Sequence, residues 1–193
     1  MAIPRSINRD LDRLRRKLGK PGPRPPLPTG KAAAVLVPIF ERAGEGHLFY
    51  IKRSETVSHQ GQVAFPGGRA EPTDRDLGET ALREAHEEVG IVPATVDLIG
   101  YLPAHNTTVS GYMVAPFVGA IPDPERLRYD PREVAAVFSV PIRALLDRRY
   151  RGDYELRRDT GRPMKFPAIL YDGQIIWGLT YRITLDLLDL LAD

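Results

Sequence analysis

Three glutamates, Glu84, Glu87 and Glu88, stand at i, i+3 and i+4, a few residues after the run Gly67-Gly68-Arg69-Ala70-Glu71-Pro72-Thr73-Asp74. On one helix such carboxylates repel one another by a few tenths of a kcal/mol per pair, so a cation is expected to offset them. Hard oxygen ligands gathered in a chain without cysteine suit Mg²⁺ or Mn²⁺, which take a few carboxylates and complete their shell with water and substrate phosphates. The plainer reading is a solvated acidic face on which Arg83 pairs with Glu87. The residue types alone leave both open.

The acidic triplet needs a helix and a sheet to hold it. From Leu77 to Val89 there is no proline, Ala81, Leu82, Ala85 and Val89 form one apolar stripe at about 100° per residue, and Gly90 is a usual helix terminator. The three glutamates then share a face apart from that stripe. Upstream, Ala32 to Phe40 reads as a buried strand and Leu48 to Lys52 as its partner, with Ala43-Gly44-Glu45-Gly46 as the hairpin loop. Downstream, strands are expected at Val96 to Leu102 and Tyr112 to Ala120, joined by a polar loop containing His105 and Asn106. A further strand is expected at Glu133 to Val140, with a helical turn at Ile142 to Leu146. Phe166 to Tyr171 and Gln174 to Trp177 read as a hairpin around Asp172-Gly173, a favoured turn pair. Leu179 to Leu190 reads as an amphipathic helix that closes the core.

Arg83-Glu84-Ala85-His86-Glu87-Glu88-Val89-Gly90-Ile91 resembles the second half of the Nudix hydrolase box, G-x5-E-x7-R-E-U-x-E-E-x-G-U with U aliphatic, at every specified position. The first half departs from it: Asp74 replaces Glu, and eight residues rather than seven precede Arg83. Arg53-Ser54 followed by Gly61-Gln62-Val63-Ala64-Phe65-Pro66-Gly67-Gly68 is similar to a second motif of the coenzyme A pyrophosphatase branch. The resemblance implies an α/β fold, an α/β/α sandwich with a mixed sheet, and metal-dependent hydrolysis of a nucleoside diphosphate linked to another group. Coenzyme A or an acyl derivative is the first substrate it implies; ADP-ribose or NADH is the alternative. It also implies Glu84, Glu87, Glu88 and the Gly68 carbonyl as ligands of Mg²⁺ or Mn²⁺, with one of the three glutamates as general base. Arg53, Ser54, Gly67, Gly68, Arg69 and His59 are the substrate-binding candidates. Glu133 is a candidate second acid, although a capping or surface role is favoured. For the 3′-phosphate of coenzyme A the available cations are Arg53, Arg69 and the cluster from Arg148 to Arg158.

The composition is compatible with such an enzyme. At 193 residues, with 42% hydrophobic and 27% charged residues, the chain suits one globular domain. The longest apolar run, Ala32 to Phe40, falls short of a membrane span and contains Pro38. The basic N-terminus lacks the apolar core of a signal peptide, and zero cysteines exclude disulfides and thiolate catalysis; a cytoplasmic location is expected. The net charge of +2 is uneven, because residues 1–24 carry eight cations against Asp10 and Asp12. That segment could meet nucleic acid, as a non-catalytic binding domain would. However, Ile7, Leu11, Leu14 and Leu18 follow helical spacing, so packing is favoured and no nucleic acid is expected as a partner. Residues 1–29 are read as this basic helix and a proline-rich linker, and 30–193 as the catalytic domain.

Overall fold

The computed structural model describes residues 8–18, 30–54, 61–107, 111–156 and 163–192. His59, Arg157, Arg158 and the proline-rich segment from Pro21 to Pro28 lie outside them. Strand β1 (Ala32–Arg42) is central. Its residues alternate between two apolar clusters: Val37 and Ile39 enter one, Ala34, Leu36 and Phe40 the other. This is the period-two pattern of a sheet buried on both faces.

On one edge β1 pairs antiparallel with β2 (Glu45–Arg53) and, nearer its start, with the short β4 (Gly67–Arg69). On the other edge it runs parallel to β7 (Met113–Ala120) in an unbroken register from Ala32↔Met113 to Ile39↔Ala120. Four further strands complete the sheet: β3 (Val63–Ala64) and β8 (Val134–Pro141) on β2, and β5 (Asp97–Tyr101) and β6 (His105–Asn106) on β7. The sheet is therefore mixed, as expected.

Helix α2 (Leu77–Val89) covers one face through Leu77, Ala81, Ala85 and Val89. Its bounds coincide with the sequence reading. Asp76 caps its first turn by accepting the Glu79 N–H, and Gly90 adopts φ 70° to end it, the left-handed conformation that glycine takes without penalty. The opposite face carries α1 (Asn8–Leu18) and α4 (Gly178–Leu191), with α3 (Ile142–Leu146) after β8. Helices on both faces of a mixed sheet make the α/β/α sandwich.

Several expectations change in detail. The first hairpin is tighter than the four-residue loop read from sequence: Arg42 pairs with Glu45, leaving Ala43 (φ 52°) and Gly44 (φ 81°) as the two turn residues. Positive φ at both positions matches the natural twist of the strands. Asp172 (φ 47°) and Gly173 (φ 72°) make the same kind of turn in the later hairpin. That hairpin, β10 (Met164–Tyr171) and β11 (Gln174–Trp177), gains a third strand, β9 (Arg151–Leu156), and forms a separate small sheet. The sequence reading took part of β9 for a basic patch.

Helix α1 packs rather than projecting. Leu11 and Leu14 are 1% and 0% exposed in the cluster shared with α4. Arg13 donates to the Ala192 carbonyl at 2.8 Å, and Arg15 reaches Asp97 at 2.6 Å. Truncating a fully buried leucine removes its transfer energy and leaves a cavity. Leu14→Ala is accordingly expected to lower unfolding stability by about 2–5 kcal/mol, measured by denaturant melts; an unchanged midpoint would mean that α1 is not part of the core.

Candidate active site

The carboxylates of α2 meet the glycine strand β4. Leu36 N–H donates to the Pro66 carbonyl and Ala70 N–H to the Ala32 carbonyl, both flanking the pairing of Ala34 with Gly68. Antiparallel ladders alternate, so Gly68 falls in the hydrogen-bonded class and its carbonyl is directed at Ala34. Gly67 falls in the other class, and its N–H donates to Glu88 Oε2 at 2.9 Å. The glycine whose backbone faces the carboxylates is thus Gly67, one residue before the expected Gly68.

Gly67 is sterically required by the neighbouring backbone, and Gly68 leaves room for the carboxylate of Glu84. A Cβ on Gly67 would collide with the Ala34 carbonyl and Val35 Cα, and one on Gly68 would lie 2.5 Å from the carboxylate carbon of Glu84. The bare backbone lets α2 bring Glu84 directly onto β4.

The three glutamates differ in depth. Glu88 is only 2% exposed, and burial pushes its carboxyl up to about 7, against the smaller opposing effects of the Gly67 N–H and of Arg53. Glu84 is largely enclosed and also raised, chiefly by burial. Glu87 is exposed and meets Arg83 at 3.1 Å. Among the described residues no three acidic or imidazole groups are drawn into a preformed metal cage. The donor set nevertheless fits a hard divalent cation that keeps several of its waters. It offers only oxygen, and it holds the buried Glu88 and the largely enclosed Glu84, whose carboxyls are raised chiefly by burial and to a smaller degree by neighbouring carboxylates, a cost that a cation would relieve.

Arg83 is the fixed cation beside them. Its guanidinium spans Asp74 through Nε at 2.9 Å and Nη2 at 3.0 Å, Glu84 at 3.0 Å, and the Arg69 carbonyl at 2.9 Å. Asp74, where the resemblance has Glu, is buried; it also accepts from Thr80 Oγ1 at 2.8 Å and Glu71 N–H at 2.9 Å. The Arg83 hydrogen bonds, with smaller help from these donors, hold its carboxyl at about 2. The shorter side chain is therefore an anchor for Arg83. The pairing of Arg83 with Glu87 offered by the plainer reading is real, but it occupies only part of the fork.

Arg53 ends β2 with Nη1 3.7 Å from Glu88 Oε1. Ser54 is buried; its hydroxyl donates to the Arg132 carbonyl at 2.5 Å and its N–H to the Glu133 carbonyl at 2.9 Å. Ser54 thus pins the segment that carries Glu133. The exposed Glu133 raises both Glu84 and Glu88, so its charge borders the site. His105 is turned away to α4, with Nε2 2.7 Å from Asp186. Sequence reasoning missed Asp74 as the Arg83 anchor. The one signal was an acid in the box position at nine residues' distance from Arg83.

An α/β/α sandwich whose acidic helix packs on a glycine strand, with an arginine bridging the two, is the architecture of a Nudix hydrolase. The NUDIX domain family matches residues 30–159, and the chain belongs to that family. A relative from Escherichia coli called "Uncharacterized Nudix hydrolase NudL" is 42% identical over 159 residues, 81% of each chain. A relative of the same name from Pectobacterium atrosepticum is 41% identical over 160 residues, covering 82% of this chain and 81% of that one. Among solved structures, a NUDIX hydrolase from Alicyclobacillus acidocaldarius superposes with TM-score 0.51 at 21% identity, over 61% of this chain and 82% of that one. The C. elegans Ap4A hydrolase gives 0.50 at 16% identity, over 61% and 84%. These structural likenesses bear on the fold. The chain is a Nudix pyrophosphohydrolase acting on a nucleoside diphosphate derivative. No helix among the described residues is long and apolar enough to cross a membrane.

Proposed function

We propose that the chain hydrolyses the diphosphate of coenzyme A or an acyl derivative to adenosine 3′,5′-bisphosphate and (acyl-)4′-phosphopantetheine, using Mg²⁺ or Mn²⁺. The observation that carries the catalytic part is Glu88, buried against the Gly67 N–H with a carboxyl raised to about 7. Glu84, Glu87, Glu88 and a backbone carbonyl, for which Gly67 is placed better than Gly68, would hold the metal. When bound, it neutralises charge on the phosphoryl oxygens and acidifies the attacking water.

The chain's own residues supply the rest. Arg83 fixes Glu84 and Glu87 in place and locks α2 to β4 through the Arg69 carbonyl. One glutamate takes the proton of the attacking water, a contribution of about 10²–10⁴-fold for a well-placed base. Water oxygen bonds to one phosphorus while the bridging P–O bond breaks, and the leaving phosphate keeps the electron pair. Arg53, beside Glu88, is placed to meet a phosphate oxygen with its fork.

The coenzyme A assignment is supported by the motif running from Arg53 and Ser54 through Gly61 to Gly68. Its test is kcat/KM for coenzyme A, ADP-ribose and NADH at one Mg²⁺ concentration, with products separated. Coenzyme A is expected to lead. If ADP-ribose or NADH surpasses it, the substrate assignment fails while the hydrolase family stands.

A further inference from the structure

Three chain segments far apart in sequence converge at the start of β1. Ala33 pairs with Arg69 of β4, Ala32 pairs with Met113 of β7, and Met113 N–H donates to the Lys31 carbonyl at 3.0 Å. These registers bring Lys31, Arg69 and Tyr112 together. Lys31 Nζ lies 5.8 Å and the Arg69 guanidinium 5.4 Å from the centroid of the Tyr112 ring. The three line a recess of about 280 Å³ together with Gly30, Ala32, Ala70, Glu71 and Pro72.

Two cations held on one aromatic ring are an unusual expense of like charge, and neither has a carboxylate partner among the described residues. Glu71, also on the rim, leans to Arg83 at 3.9 Å. Of the other arginines considered for an anionic substrate, Arg53 stands 3.7 Å from Glu88 beside the diphosphate site, Arg149 pairs with Asp147 at 2.6 Å, Arg151 donates to the Leu145 carbonyl at 2.8 Å, and Arg148 is exposed. The quadrupole of the Tyr112 ring steadies both cations without neutralising either. A guanidinium fork and an ammonium point charge together suit a group with several oxygens and close to two negative charges.

We infer that Lys31, Arg69 and Tyr112 form a subsite for a phosphate monoester that the substrate carries in addition to its diphosphate. The inference rests on the coenzyme A reading for the identity of that group, the ribose 3′-phosphate. Position supports it: Arg69 is two residues along β4 from Gly67, about 7 Å at 3.3–3.4 Å per residue, on the scale of one nucleoside. Arg83 joins the two places, since it donates to the Arg69 carbonyl and to Glu84. Tyr112 acts as a positioning residue, and the two cations make the contact.

Binding and turnover separate the subsite from the substrate reading. Calorimetry on the full chain with Mg²⁺ compares adenosine 3′,5′-bisphosphate with 5′-AMP. A charge-assisted contact predicts that the bisphosphate binds about 10- to 100-fold more tightly. In Lys31→Ala/Arg69→Ala the two ligands are expected to bind within about 3-fold of each other, with an unchanged melting temperature, and Lys31→Arg is expected to restore most of the difference to the Lys31→Ala single variant. Equal binding of the two ligands by the wild type, or a preference that survives in the double variant, overturns the subsite. The parallel kinetic arm compares coenzyme A with dephospho-coenzyme A. If neither is hydrolysed but the bisphosphate preference depends on the two cations, the subsite stands and the coenzyme A reading falls. If coenzyme A is hydrolysed without any such preference, the reading stands and the subsite falls.

Discussion

Glu88→Gln is expected to lower kcat/KM by about 10²–10⁴-fold, the scale of a lost general base or ligand carboxylate, while making the metal-free protein more stable at neutral pH. The two effects have one origin. Glu88 is buried, and its neutral form is favoured because the charged form has lost its water. Glutamine keeps an oxygen that can accept the Gly67 N–H and abolishes the charge. Glu84→Gln and Glu87→Gln are also expected to lose most turnover. The exposed Glu87 should show little of the stability gain, because its charge is already in water. Near-normal turnover in all three variants at saturating Mg²⁺ would sink the metal-site reading.

The pH dependence has a definite sign. With metal removed by chelator, Glu88 ionises at its ordinary 4.5 in the unfolded chain and at about 7 in the folded one. The folded state therefore binds more protons between these values, so stability falls as pH rises through that window and levels off above it. The shift corresponds to a loss on the order of 3 kcal/mol, which Glu88→Gln should not show. Mg²⁺ binds the ionised form, so its stabilisation should grow with pH over the same range.

Helix α2 was legible from end to end because an Ala/Leu stripe, an absence of proline and Gly90 all point the same way. The unequal depth of its glutamates was not. A helical wheel gives azimuth, whereas the burial of Glu88 comes from β4 lying over it. That strand has three residues, two of them glycine, with no propensity of its own; it exists because β1 offers a ladder. The same reason hid β9, whose residues Arg151 to Leu156 are largely polar and are paired by β10. The meeting of Lys31 with Tyr112 depends on the parallel register of β1 with β7, which periodicity cannot supply. Conversely, Leu11 and Leu14 told correctly that the basic N-terminal helix packs, because their spacing outweighed the charge around them.

The second large effect concerns Arg83. Removing its side chain in Arg83→Met leaves Asp74 buried with only Thr80 and the Glu71 N–H as partners. Breaking one half of a buried ion pair costs about 3–5 kcal/mol, because the remaining charge stays desolvated. Activity should fall as well, since Glu84 and Glu87 lose the fork that spaces them. Arg83→Lys should recover only part of both losses, because an ammonium cannot span the two Asp74 oxygens and the Arg69 carbonyl at once. Asp74→Asn combined with Arg83→Met separates the pair from its surroundings: the double variant should be less destabilised than the sum of the singles by about 0.5–3 kcal/mol. Acid titration gives an independent check. Asp74 is held at about 2 against its ordinary 3.8, so the stability it contributes is present above pH 3.8 and is lost as pH falls through 2. The stability gap between wild type and Arg83→Met should narrow in that window. A gap that stays constant from pH 5 to 2 would show that Asp74 does not depend on Arg83, and that the lock between α2 and β4 lies elsewhere.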